Sequence, residues 1–153
     1  MKTRYTYALS NIFLVLARFD VSSWGEDGGV EFEPASDNVE ITVGGDGTVV
    51  ANYSANDVVL ANITVLAGSQ GAQALGQLTR EQRVSVETNA IIPNINFFMQ
   101  DPALGDEVAD DQAFITQQPG PNKQGSVGEL TWQLCLPNGK KFMDYASNAG
   151  LLP

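Results

Sequence analysis

The sequence predicts a mainly β fold with one principal α-helix, built as a small β-barrel or two packed sheets. Apolar and polar residues alternate with period two in most segments, one stretch keeps helical spacing, and glycine-rich turns punctuate the rest. At 153 residues the chain is expected to form one domain, 1–153, with a loop insertion at about 101–126. A domain of this size buries roughly 70% of the surface its unfolded chain exposes, so a core forms without disulfides or metals.

The first element is a strand over Asn11–Phe19, apolar on both faces and therefore expected at the centre of a sheet. A turn at Val21–Gly25 and an acidic, glycine-rich segment lead to Val30-Glu31-Phe32-Glu33, whose alternation puts both glutamates on one face. Pro34 ends that strand or marks it as an edge. Val39–Val43 and Thr48–Tyr53 flank Gly44-Gly45-Asp46-Gly47 as a hairpin, with Val39, Ile41 and Val43 expected toward the core.

Val58–Leu66 reads as a strand buried on both sides, because Val59, Ala61, Ile63 and Val65 alternate with a half-apolar set. The pattern turns helical over Ser69–Arg83, with Ser69 as N-cap and Ala72, Leu75, Leu78 and Gln82 on one stripe. Val84–Ala90 and Ile91–Gln100 return to extended structure, the second placing Ile95, Phe97 and Met99 on one side. Asp101–Ser126 reads as a loop holding a short strand at Ala113–Thr116. Gly128–Leu136 is the last clear strand, with Leu130, Trp132, Leu134 and Leu136 sharing a face, and Met143–Ala149 is compatible with a short helix.

Charge narrows the function classes. The formal net charge is −10, which excludes a basic patch that grips phosphate backbones. Between Arg18 and Arg80 there is no lysine or arginine, yet Asp20, Glu26, Asp27, Glu31, Glu33, Asp37, Glu40, Asp46 and Asp57 all fall there. A field of one sign built into strands marks a surface that repels something or stays wet, and DNA is the leading candidate for the repelled partner. Alternation divides these acids: Glu31, Glu33 and Glu40 sit on strand faces, the others in turns or strand ends.

Catalytic chemistry finds little to work with. There is no histidine and a single cysteine, so Ser-His-Asp and Cys-His arrangements and the usual zinc and copper sites are missing. Cys135 lies within a strand pattern and reads as a core thiol; one cysteine also points to a reducing compartment. Acidic pairs are too abundant to single out a glycosidase, and Asp106-Glu107-Val108-Ala109-Asp110-Asp111 lacks the spacing of a calcium loop and reads as solvated. The glycine-rich stretches match no phosphate-binding fingerprint. Trp24 and Trp132 are the candidates for stacking on sugars, but Trp132 belongs to an apolar strand face and is assigned to the core. No catalytic residue, metal ligand or cofactor is expected. The start, Met1-Lys2-Thr3-Arg4, with the run Ile12–Ala17, is a poor signal peptide, and no stretch approaches the roughly 20 apolar residues of a membrane span.

Tyr5-Thr6-Tyr7-Ala8-Leu9-Ser10-Asn11-Ile12-Phe13-Leu14-Val15-Leu16, then Val21-Ser22-Ser23-Trp24-Gly25-Glu26 and Val39-Glu40-Ile41-Thr42-Val43-Gly44-Gly45-Asp46-Gly47, resemble tail tube proteins of contractile-tailed bacteriophages. The likeness is strongest over the first half, and the order of elements agrees. It implies a virion protein of the tail, made in the host cytoplasm, whose hexameric rings join strands of neighbouring subunits into one continuous barrel. Rings stack inside a contractile sheath, beside tape measure and baseplate proteins, and double-stranded DNA passes through the lumen without specific binding. Under this resemblance Glu31, Glu33, Glu40 and Asp46 are expected to face the lumen, while Glu26, Asp27, Leu151 and Leu152 are expected at contacts between subunits or rings. The loop 101–126 departs from the family's short form and is a candidate contact with the sheath or a neighbouring ring. A carboxylate and a phosphate about 10 Å apart in water repel by roughly 0.4 kcal/mol, and by about 0.1 kcal/mol once salt screens them. Repeated over many subunits, that keeps DNA off a wall without blocking its passage. The competing readings are a β-rich binding module of a baseplate, an adhesin or carbohydrate-binding domain, and, third, an acidic hydrolase.

Overall fold

The computed structural model describes residues 12–21, 28–102, 104–121, 125 and 127–145. The fold is mainly β with one helix, in two packed sheets, as the alternation predicts. In chain order the elements are β1 Phe13–Leu16, β2 Phe19–Asp20, β3 Gly29–Pro34, β4 Val39–Val43, β5 Val49–Tyr53 and β6 Val59–Leu66. They continue with α1 Gln70–Asn89, β7 Ile95–Asp101, β8 Asp106–Gln117, β9 Glu129–Leu136 and β10 Met143–Asp144.

Seven strands form one antiparallel path, β2-β1-β7-β8-β9-β6-β3, and an eighth, β10, pairs with β8 off that path. The path folds into two layers because β8 serves both. Its first half pairs with β7 up to Ala113, and Phe114–Gln117 pairs with β9. Irregular register in both ladders bends the strand, the usual way a strand changes sheets at a corner. Asp110 holds the corner from inside. It is 2% exposed, and its two carboxylate oxygens accept the Gln112 and Asn138 amides at 2.8 and 2.9 Å. Between the layers lie Leu14, Leu16, Ile63, Phe97, Leu134 and Leu136, all fully buried. Phe32 of β3 meets Phe97 of β7 edge-on, with centroids 5.9 Å apart, although the two strands are far apart along the path.

Helix α1 closes the core with Ala72, Ala74, Leu75 and Leu78. Ser69 caps it as expected, its Oγ accepting the Ala72 amide at 3.2 Å. Trp132 is 5% exposed and donates its Nε1–H to Thr79 Oγ1, which seats the helix on β9 and confirms the ring as core.

Several expectations need correction. Val84–Ala90 is not extended: the helix runs on to Asn89, because Ala90 ends it in the left-handed region, at φ 54°, where glycine is the usual signal. Residues 106–117 are strand β8, not a loop with a short strand. Asp110 is correspondingly buried and hydrogen-bonded rather than solvated. The strand expected at 11–19 breaks at Ala17 into β1 and β2, next to the sheet edge, and Phe13 is 45% exposed against Phe98. Finally, β6 is buried on one face only. The helix compatible with Met143–Ala149 starts instead as β10, and 146–149 lies outside the described residues.

Candidate functional site: a cation-free sheet face and an exposed apolar arm

β3, β6, β9 and the last residues of β8 make a four-stranded wall whose two faces differ in kind. Val30, Phe32, Val59, Ala61, Ile63, Val65, Trp132, Leu134, Leu136 and Ile115 point into the core. The opposite face carries Glu31, Glu33, Asn62, Thr64, Thr131, Gln133 and Thr116, because side chains alternate across a strand. Register lines these up in rows: Glu31 faces Asn62, which faces Gln133, and Thr64 faces Thr131.

The rows are stitched by side chains. Thr64 and Thr131 hydroxyls lie 2.9 Å apart, Gln133 Nε2 donates to Asn62 Oδ1, and Thr116 Oγ1 donates to Gln133 Oε1 at 2.9 Å. Such a web holds the surface rigid while leaving it hydrated. A hollow of about 200 Å³, lined by Glu31, Asn62 and Thr64 with Gly28, Gly29 and Val30, opens at its β3 border. At the far end Leu60, Cys135 and Phe114 form a less exposed row. Burial, reinforced by the Asp110 charge, pushes the Cys135 thiol above its ordinary value, so it stays protonated.

Among the described residues no lysine or arginine lies on this face. Arg18, Arg80 and Arg83 belong to the β1–β2 turn and the helix, and Lys140 and Lys141 to the turn after β9. Arg18 pairs with Glu81 at 2.6 Å and Arg83 with Glu87 at 3.1 Å. The helix packs on the core side of the wall, so its arginines, and Arg18 paired with Glu81, lie on the opposite side of the sheet from the polar face.

The second feature is an arm. β3 continues into β4 and β5 returns into β6, so 29–66 is one long hairpin whose outer part, β4–β5, forms a separate two-stranded sheet. The expected hairpin is present, with Val43 opposite Val49. At the tip Gly47 takes φ 86°, which glycine tolerates, and Asp46 Oδ1 accepts the Thr48 amide at 3.0 Å. That bond holds the Asp46 carboxyl below its ordinary value of 3.8. The expectation that Val39, Ile41 and Val43 face the core fails. With Val49, Ala51 and Tyr53 they form one apolar face in solvent, Ile41 67% and Tyr53 80% exposed. Alternation reports that a face is to be covered, not by which molecule.

The base of the arm is tethered. Lys140 Nζ donates to the Ser36 carbonyl at 2.6 Å and to Asn38 Oδ1 at 2.9 Å, and the Lys140 amide donates to the Asp57 carbonyl. Gly139 packs so closely there that a Cβ would lie 2.7 Å from Val59 Cβ.

The residues singled out in the sequence therefore separate. Glu31 and Glu33 lie exposed on the polar face, whereas Glu40 stands on the arm opposite Asn52 and Asp46 caps its tip. Glu26, Asp27, Leu151, Leu152 and Trp24 lie outside the described residues. The sequence reading passed over Asn62, Thr64, Thr131 and Gln133, whose signal was the polar half of the β6 and β9 alternation. Trp132 offers no open ring for a sugar, and no described group of acidic or cysteine side chains is arranged to hold a metal. No helix among the described residues is long and apolar enough to cross a membrane.

No family model matches the sequence, and no curated protein matches it. Solved structures do match the fold. The anti-feeding prophage cap, a tube terminating cap, is similar with a TM-score of 0.54 and 10% identity, covering 89% of this chain and 90% of that one. The sheath/tube terminator of an extracellular contractile injection system, PVC, in its extended state, is similar with a TM-score of 0.54 and 10% identity, covering 88% of this chain and 95% of that one. The chain thus shares its fold with tube-terminating components of contractile injection systems.

Proposed function

We propose that the chain is a structural, ring-forming component of a contractile tail, whose polar sheet face lines the central channel. The observation that carries this is the polar face of β3, β6, β9 and β8, free of lysine and arginine among the described residues and backed by the core and the helix, on a fold shared with tube terminators. A channel wall needs one hydrated face and one packed face, and this sheet has both. Its ends are open: β3 has β6 as its only strand partner among the described residues, and Phe114–Gln117 has lost β7. Joining the β3 edge of one copy to the β8 edge of the next closes a ring and removes both hazards.

In that ring Glu31 and Glu33 face the lumen and the helix stands on the outer wall, where a sheath runs. Glu40 and Asp46 reach the lumen only where the arm borders it. The apolar arm face is covered by a neighbouring copy. A wall of hydroxyls, amides and a few carboxylates lets double-stranded DNA slide without adhering, consistent with the small repulsion per charge. A hexamer, with tape measure and baseplate proteins at its ends, completes the proposal. Outside the virion, the host cytoplasm is the place of synthesis.

The second reading is a terminating ring that caps the tube, favoured by the two similar structures named above. Negative-stain microscopy of the purified chain at increasing concentration separates them. Long hollow tubes support the tube subunit and isolated rings the terminator; a monomer at every concentration refutes both.

A further inference from the structure

The open edge of β8 is not bare. Gln82, one turn beyond Leu78 on the helix, lays its side-chain amide against Ile115 with two bonds: Nε2 donates to the Ile115 carbonyl at 2.8 Å, and the Ile115 amide donates to Oε1 at 2.9 Å. A glutamine amide carries the same donor and acceptor as a peptide group, so this pair reproduces one rung of a strand ladder. It sits two residues beyond Ala113, where the pairing with β7 ends. Beside it a groove of about 490 Å³ runs between helix and strand, lined by Gln82, Val86, Ile115, Thr116 and Gln117 among others.

We propose that Gln82 is a removable cap on the β8 edge, which keeps the free chain from pairing there until the β3 strand of a second copy displaces it. The proposal rests on the ring reading above and adds its control point. β3 of a second copy is the fitting occupant for two reasons. It is the other open edge of the same wall, and its alternation continues the wall across the junction, Glu31 and Glu33 on the polar face beside Thr116, Val30 and Phe32 on the apolar side beside Ile115 and Val86. Pro34, lacking an N–H, ends the pairing segment as befits an edge strand. Unblocked edges invite indiscriminate pairing, and a one-rung plug guards the edge while remaining weak enough to yield to a full strand.

The test compares the wild-type chain with Gln82→Met, which keeps length and loses both bonds, and with Gln82→Ala as a second variant. Pelleting against concentration reads the threshold for assembly, and hydrogen exchange reads the Ile115 amide below that threshold. The expected result is a folded Gln82→Met monomer whose Ile115 amide exchanges about tenfold faster and whose threshold falls about tenfold, the equivalent of one or two hydrogen bonds. In assembled particles the Ile115 amide is protected equally in both proteins. A threshold that is unchanged or higher in both variants overturns the proposal, because Gln82 is then a fixed strut of the subunit. If neither wild type nor variants assemble at any concentration, the ring reading falls and the cap with it; rings with an unaltered threshold overturn the cap alone.

Discussion

Replacing Ile41 with threonine separates burial within the subunit from burial between subunits. Threonine keeps the β-branched shape that suits a strand, so the change removes mainly apolar area. Ile41 is 67% exposed and its neighbours Val43 and Val49 are 64% and 60% exposed, so the free chain gains little from them. Full burial of such a side chain is worth about 1.5–3 kcal/mol, and the two-thirds of Ile41 still in solvent therefore represents about 1–2 kcal/mol available to a partner. The prediction has two halves. Urea unfolding of the dilute monomer shifts by less than about 0.5 kcal/mol, as for other surface substitutions. The threshold for assembly, measured by sedimentation, rises about 5- to 30-fold, because each subunit contributes one arm. A monomer destabilised by about 2 kcal/mol with an unmoved threshold refutes the reasoning, since the arm would then pack against its own body.

Asp110→Ala leaves the Gln112 and Asn138 backbone amides without their buried acceptor at the corner of β8; a loss of about 2–3 kcal/mol is expected in urea unfolding. At the arm tip, the depressed carboxyl of Asp46 adds stability that is present above its unfolded value and is lost as pH falls through the lower folded value. Carboxyl NMR of the folded chain is expected to give an Asp46 midpoint below 3.8 that returns to the ordinary value in urea; a midpoint at or above 3.8 sinks the turn assignment.

How much was legible in the sequence depended on whether the pattern was local. β6, β7 and β9 alternate cleanly, and all three put the expected residues in the core. Ser69 announced the helix start because a cap is a short-range signal. The helix end was hidden, since Val84 and Val86 favour strands in isolation and Ala90 gives no glycine cue. β8 was hidden twice over. Its acids suggested a loop, and its buried residues run Val108, Asp110, Ala113, Ile115, changing parity at the bend so that no single period fits. The polar wall was half legible: Glu31 and Glu33 declared themselves by alternation, whereas the Asn62–Gln133 row depends on strand pairing across distant segments. Gln82 was visible only as a member of a stripe; its role requires knowing that β8 ends its pairing with β7 at Ala113.

The continuity of 29–66 as one hairpin also bears on how the chain comes into being. Its pairings join neighbouring segments, whereas β1 must wait for β7 and β6 for β9. The hairpin can therefore close on the ribosome before the strands that frame it have been made, presenting Ile41, Val43 and Tyr53 to every other nascent chain nearby. The absence of lysine and arginine from Phe19 to Thr79 serves these immature arms as well as the finished wall. Segments carrying charge of one sign repel their own copies, and that repulsion is most useful during the interval when an apolar face is made and its proper cover is not.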